Sequence, residues 1–240
     1  MGKKPETAFI LAAGKGTRMQ PLTDTIPKPM VPLSGKPLID HTIDALVRDD
    51  VRQIVVNLHH FGNKLENHLS ARSDAKIIFS KESTLMDTGG GVRKAARKLG
   101  DDPFYIINGD AFWTEGPGQT ALQRLADAWN PDTMDILILL QKTDEMVLTH
   151  GTGDYDIDGN GKAIRALSKT GQYMFTSIRI MKPEILRGTS EDPFSYLDLL
   201  DKAEKEGRLY ALVHEGEWHH ISTPDDLNRV NAALGQQGAA

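Results

Sequence analysis

The run Thr7-Ala8-Phe9-Ile10-Leu11-Ala12-Ala13-Gly14-Lys15-Gly16-Thr17-Arg18-Met19 reads as a strand that breaks into a loop. Residues 7–11 are apolar without alternation, which predicts a strand buried on both faces. Gly14 and Gly16 then end it and leave backbone N–H groups open to an approaching anion. Outward from this point the pattern repeats. Apolar runs at 53–58, 76–80, 104–108 and 135–140 read as strands. Helical spacing at 38–48, 62–69, 91–99 and 121–129 separates them. That order predicts an α/β fold with a parallel sheet covered on both faces. Further along, Asp158-Gly159-Asn160-Gly161 predicts a hairpin turn rather than a calcium loop, since the later Glu is missing. A strand at 172–181, a helix at 194–206, a strand at 208–213 and a helix at 223–234 follow. Residues 1–6 and 235–240 read as flexible tails. No linker, repeat or low-complexity tract divides the chain, so 1–240 reads as one domain.

Composition narrows the classes. Hydrophobic residues make up 39% and charged residues 25%, values of a globular chain rather than a disordered one. There is no cysteine, hence no disulfide framework and no thiolate metal site. No apolar run approaches the roughly 18 residues that cross a bilayer, and the N-terminus lacks a signal-peptide core. A cytoplasmic protein away from membranes is expected. The net charge of −5 argues against a nucleic-acid partner. Between Lys15 and Lys36, however, Lys15, Arg18, Lys28 and Lys36 face one acid, Asp24. An anionic ligand fits there in an otherwise acidic chain.

Two familiar phosphate loops do not match. The dinucleotide fingerprint needs a third glycine where Met19 stands, and the Walker loop needs Lys where Thr17 follows Gly16. The first count argues against a dehydrogenase. The longer run Leu11-Ala12-Ala13-Gly14-x-Gly16-Thr17-Arg18-Met19, then Pro21-Leu22-Thr23, then Pro27-Lys28-Pro29-Met30, resembles the signature of the sugar-1-phosphate nucleotidyltransferases. Gly35-Lys36-Pro37-Leu38, Asn108-Gly109-Asp110 and Trp218-His219-His220-Ile221-Ser222-Thr223-Pro224 resemble further segments of that family, in order. Asp87-Thr88-Gly89-Gly90-Gly91 resembles the E-T-G-G-G of its N-acetylmuramate-1-phosphate uridylyltransferases, which recycle cell-wall sugar. Those enzymes are short, and this chain likewise ends soon after its T-P segment. The resemblance implies a Rossmann-like fold with a mixed, mostly parallel central sheet and helices on both faces. It implies a nucleotide-binding part at about 7–110 and a sugar-phosphate part at about 111–234.

The implied reaction joins a nucleoside triphosphate, first of all UTP, to a sugar 1-phosphate, with N-acetylmuramate 1-phosphate as the candidate acceptor. Its products are an NDP-sugar and pyrophosphate. Guanylyl transfer to mannose 1-phosphate or heptose 1-phosphate is the alternative, and a nucleotide-sensing subunit without turnover is a second. Two anions must meet in such a reaction. At an effective dielectric of about 20, unit charges about 4 Å apart repel by roughly 4 kcal/mol. Charge neutralisation and positioning therefore suffice as catalysis. By analogy Arg18 holds the leaving phosphates and Lys28 bridges the reacting ones. Leu11, Ala12, Ala13, Gly14, Gly16 and Thr17 contact the nucleotide. Gly90 offers a backbone donor ahead of a helix. Asp87 or Thr88 meets the base, although an Asp accepts from uracil and guanine alike.

Asp110 is the metal candidate, for Mg²⁺ or alternatively Mn²⁺. The family's second ligand, an Asp, is replaced by His220. Three readings stand: Asp110 with phosphates and water suffices, His220 ligates a softer metal, or turnover is impaired. Asp225 and Asp226 read as helix caps. His219 and the pair His59-His60 read as surface residues. For the sugar the resemblance points to Asn108, Gly153, Lys169 and Thr176. Lys169 follows Ser168 where relatives carry Glu, so it is the candidate partner of a lactyl carboxylate. Oligomeric state is not legible.

Overall fold

The computed structural model describes residues 4–237. The first strands are β1 (Thr7–Leu11), β2 (Pro32–Leu33), β3 (Lys36–Pro37), β4 (Gln53–Leu58), β5 (Lys76–Lys81), β6 (Phe104–Asn108) and β7 (Phe112–Trp113). They are followed by β8 (Ile136–Lys142), β9 (Tyr155–Ile157), β10 (Ala163–Arg165), β11 (Tyr173–Met181), β12 (Leu209–Val213) and β13 (Trp218–His219). The α-helices are α1 (Leu38–Arg48), α2 (Gly62–Leu69), α3 (Asp87–Leu99), α4 (Ala121–Ala128), α5 (Leu197–Lys205) and α6 (Pro224–Gln237).

The main sheet runs β5-β4-β1-β6-β11-β8-β12, with β9 and β10 joined at the start of β11. Strands β5, β4, β1 and β6 are parallel. Strand β11 is inserted antiparallel between β6 and β8. The sheet is thus mixed and mostly parallel, with strands from both halves of the chain. Alternation within β1 shows why the strands are apolar throughout. Ala8 and Ile10 pack with α1, α2 and α4 on one face, while Phe9 packs with α3 and α5 on the other. Full burial of one such side chain contributes about 1.5–3 kcal/mol. A third apolar cluster sets Met19, Val31 and Leu33 of the loop region after β1 against Leu227 and Val230 of α6. Among the described residues no helix is long and apolar enough to cross a membrane.

Several sequence expectations are corrected. Residues 1–3 lie outside the described residues, but Pro5 is buried and the Glu6 carbonyl accepts from Arg52 N and Gln53 N, so 4–6 are fixed rather than a tail. Helix α6 runs to Gln237, through much of the expected C-terminal tail, and 238–240 lie outside the described residues. Helix α3 begins at Asp87, not after the glycines. The reason is close packing. A Cβ on Gly89 would lie 2.4 Å from Phe194 Cε2 and 2.8 Å from the Ser195 carbonyl oxygen. Gly89 N and Gly90 N both donate to the Phe194 carbonyl, at 2.9 and 3.1 Å. His219 is buried rather than on the surface, stacked on Phe112 at 5.7 Å between ring centroids. His59 is half-buried, its Nδ1 3.0 Å from the Glu82 carbonyl. The hairpin holds: Asp158 accepts from Asn160 N and Lys162 N between β9 and β10.

Two outcomes follow from this packing. Gly89→Ala should destabilise the fold by about 1–3 kcal/mol, read as a lower denaturant midpoint, because Phe194 and the Ser195 carbonyl must retreat. An unchanged midpoint would show that the segment yields freely. Burial pushes His214 and His219 below the ordinary histidine value of 6.5. As pH falls below that value the unfolded chain takes up protons that the folded chain resists, so stability falls. The denaturant midpoint should drop between pH 7 and about pH 5.5, and His219→Phe should flatten that slope. A midpoint that rises on acidification would contradict it.

Candidate active site

Strand β1 ends at the carboxyl edge of the sheet between β4 and β6, where open α/β sheets bind ligands. A buried chain of hydrogen bonds ties three strand ends there. Ala12 N donates to Asn57 Oδ1 at 2.6 Å, and Asn57 Nδ2 donates to Glu82 Oε1 at 2.7 Å. Glu82 Oε2 accepts from Met86 N at 3.1 Å. Helix α3 presses against this chain through Gly91, whose missing Cβ would lie 2.9 Å from Asn57 Nδ2.

The loop after β1 turns at Gly16, in the left-handed region at φ 63. Its carbonyl accepts from Met19 N and from Thr23 Oγ1, both at 2.9 Å. A side chain at Gly16 would meet Lys28 Cβ at 2.8 Å. Glycine there is what lets Lys28 approach the loop. Lys28 opens a short 3₁₀ turn between Pro27 and Pro29. Its Nζ donates to Asp110 Oδ2 at 2.6 Å, with the lysine side chain only 12% exposed and the aspartate 31%. Asp110 arrives from the end of β6, pinned where Gly109 N donates to the Leu11 carbonyl at 2.8 Å.

A cavity of about 340 Å³ opens above this pair. Leu11, Ala12, Ala13, Gly14, Gly16 and Thr17 line it from the β1 loop. Arg18, Lys28, Asn108 and Asp110 line it too, and Asp87 and Thr88 reach it from the first turn of α3. The structure therefore brings together most residues singled out from sequence. Asn57 and Leu85 also line it and were not singled out, and Ser222, quoted only as part of a segment, lines it too. The available signal was an Asn closing the apolar run 53–58.

Four candidates stand elsewhere. Gly90 is buried in α3 with its N–H given to Phe194, so that donor is not free for a phosphate. Gly153 is bridged to Thr170 and packed against Gly171. Lys169 is 54% exposed in its side chain and paired with Asp154 Oδ1 at 2.6 Å. Thr176 is fully buried, and its Oγ1 donates to the Leu139 carbonyl at 2.7 Å. None of the four lines the cavity.

His220 lies beside the cavity rather than in its wall. Its ring stacks on Trp218 at 5.7 Å, and its N–H donates to Thr149 Oγ1 at 2.9 Å. Burial first, then the charges of Lys28 and Arg18, push the imidazole below its usual value despite Asp110 and Asp226. Asp226 caps α6, accepting from Ser222 N and Thr223 N at 3.1 and 2.9 Å.

The donor set fits a hard cation held mainly by substrate. Among the described residues no group of three or more His, Asp or Glu converges as a metal cage. Asp110 Oδ2 is bonded to Lys28, while Oδ1 accepts no hydrogen bond from the described residues. One free carboxylate oxygen beside the Lys28 ammonium and the exposed Arg18 suits Mg²⁺, which keeps water and phosphate oxygens as its other ligands.

Comparison with known proteins agrees with this geometry. The chain is 36% identical to the N-acetylmuramate alpha-1-phosphate uridylyltransferase of Caulobacter vibrioides, over 98% of this chain and 100% of that one. It is 30% identical to the mannose-1-phosphate guanylyltransferase catalytic subunit beta of Danio rerio, over 92% of this chain and 62% of that one. The fold matches UDP-glucose pyrophosphorylase complexed with UDP-glucose at a TM-score of 0.79 and 17% identity, covering 99% of this chain and 100% of that one. Residues 7–151, which contain Arg18, Lys28 and Asp110, match the nucleotidyl transferase family. The chain belongs to the nucleotidyl transferase family.

Proposed function

We propose that this enzyme transfers a uridylyl group from UTP to N-acetylmuramate 1-phosphate, releasing pyrophosphate and returning a cell-wall sugar to use. The Lys28–Asp110 pair at the head of a glycine-lined cavity carries the reading. Arg18, exposed on the loop, holds the phosphates that leave. Lys28 sits between the two reacting phosphates and neutralises the charge that builds as they meet. Its turn, stiffened by two prolines, fixes the ammonium before substrate arrives. Ala12 N is already given to Asn57, so backbone donors for the nucleotide fall to Ala13 and Gly14. Asp87 faces the base from the first turn of α3. Asp110 is the residue that would hold Mg²⁺, which when bound offsets charge on the triphosphate. The sugar lies beyond Asn108, toward β11 and the bridged segment at Gly153 and Thr170, with Lys169 and Thr176 behind it.

The 36% identity to a uridylyltransferase favours UTP. The 30% identity to a guanylyltransferase keeps GTP with mannose 1-phosphate as the second reading. A cytoplasmic location is part of this reading, and among the described residues no helix is long and apolar enough to cross a membrane.

A pyrophosphate-release screen of nucleoside triphosphates against sugar 1-phosphates, with Mg²⁺ and Mn²⁺, should peak at UTP with N-acetylmuramate 1-phosphate. Release from no pair would reject turnover and leave a sensing role. Lys28→Ala should lower kcat by about 10²–10³-fold with an unchanged melting curve, the size of a lost transition-state contact; full activity in that variant removes Lys28 from the reaction. Asp110→Asn should raise the Mg²⁺ concentration for half-maximal rate by at least about tenfold, and an unshifted Mg²⁺ dependence would exclude Asp110 as ligand.

A further inference from the structure

The buried hydrogen bonds behind the cavity connect two of its walls. At one end Ala12 N donates to Asn57 Oδ1 at 2.6 Å, and Ala12, Ala13 and Gly14 line the cavity from the loop after β1. In the middle Asn57 Nδ2 donates to Glu82 Oε1 at 2.7 Å. At the other end Glu82 Oε2 accepts from Met86 N at 3.1 Å. Leu85 and Asp87, the neighbours of Met86, line the cavity from the turn that opens α3. Asn57 lines it between the two walls.

The donors and acceptors in this chain leave little choice of residue. Asn57 is 2% exposed and Glu82 5%. Glu82 forms no ion pair among the described residues. A buried carboxylate without a counter-ion is costly. It supplies two acceptors and no donor, and both of its side-chain partners are donors. A glutamine in its place sets N–H against N–H at one end. Asn57 must accept from Ala12 N and donate to Glu82, which an amide does and a carboxylate does not. Gly91 closes the link from the helix side, where a Cβ would lie 2.9 Å from Asn57 Nδ2 and 3.0 Å from Glu82 Oε1. From the other side Tyr196 N donates to Thr88 Oγ1 at 2.8 Å. Lys28 and Asp110 stand outside the chain, set by the proline-flanked turn and by the end of β6.

We propose that Asn57, acting through Glu82, is a positioning residue for the nucleoside triphosphate: it fixes the turn that opens α3 relative to the loop after β1, so that one nucleotide engages both at once. The inference rests on the nucleotidyl-transfer reading above, which puts the phosphates at that loop and the base at Asp87. With the spacing set before binding, little ordering is left for the nucleotide to impose. Loosening the link weakens nucleotide binding and leaves the reacting groups in place.

The test uses near-isosteric exchanges. Asn57→Asp sets carboxylate against carboxylate, and Glu82→Gln sets amide N–H against a backbone or side-chain N–H. Combined, they restore every bond with donor and acceptor exchanged: the new carboxylate accepts from Ala12 N and from the new amide, whose oxygen accepts from Met86 N. Pyrophosphate release gives kcat and both KM values, and calorimetry with UTP and Mg²⁺ gives Kd. Each single substitution should raise KM and Kd for UTP at least about tenfold, the size of a lost hydrogen bond to a charged group. The values of kcat and of KM for the sugar 1-phosphate should move less than about threefold. The double variant should return to within about threefold of wild type. Should Asn57→Asp fail to fold, Glu82→Gln and the double variant carry the same expectation. Unchanged UTP binding in the single variants, equal losses for UTP and sugar 1-phosphate, or a double variant no better than the singles would each overturn the inference. A wild type that binds UTP but releases no pyrophosphate from any pair would overturn the nucleotidyl-transfer reading, while the Kd values would still decide the role of Asn57.

Discussion

An ammonium and a carboxylate meet at 2.6 Å although Lys28 and Asp110 are 82 residues apart in the chain. They meet because β1 and β6 are adjacent parallel strands whose carboxyl ends open at the same edge. A parallel pair needs a long crossover, and the chain between the two strands supplies β4, β5 and helices α1 to α3. The geometry of the site is thus a property of the sheet. The loop after β1 brings the cations, and the short turn after β6 brings the acid. Nothing in either loop alone would fix their separation.

The remaining supports serve that one arrangement. The hydrogen-bonded chain from Ala12 through Asn57 to Glu82 holds the ends of β1, β4 and β5 in a fixed relation. It is buried, so each member must stay satisfied or leave a costly orphan. The glycines of α3 let a helix sit against it and against the segment around Phe194. Tight packing, rather than a flexible approach to the helix, is what those glycines provide.

Much of the fold was legible because buried parallel strands are written as uninterrupted apolar runs, as at 7–11, 53–58 and 104–108. The direction and place of β11 were not, since a single long apolar strand says nothing about which neighbours it will choose. The start of α3 was misread because three glycines look like a helix breaker until Phe194 and Ser195 are seen against them. Within the site, the loop residues were legible through their resemblance to a family signature. The Asn57–Glu82 link was not, because its partners sit on different strands and only the sheet unites them.

The apolar cluster joining Met19, Val31 and Leu33 to Leu227 and Val230 has a bearing on how the molecule matures. The loop after β1 is made early in translation, yet part of its backing comes from α6, synthesised more than 190 residues later than Val31. On a ribosome the first strands can pair while that loop still lacks the apolar support that α6 supplies. The packing behind that loop is therefore completed only when the last helix has been made.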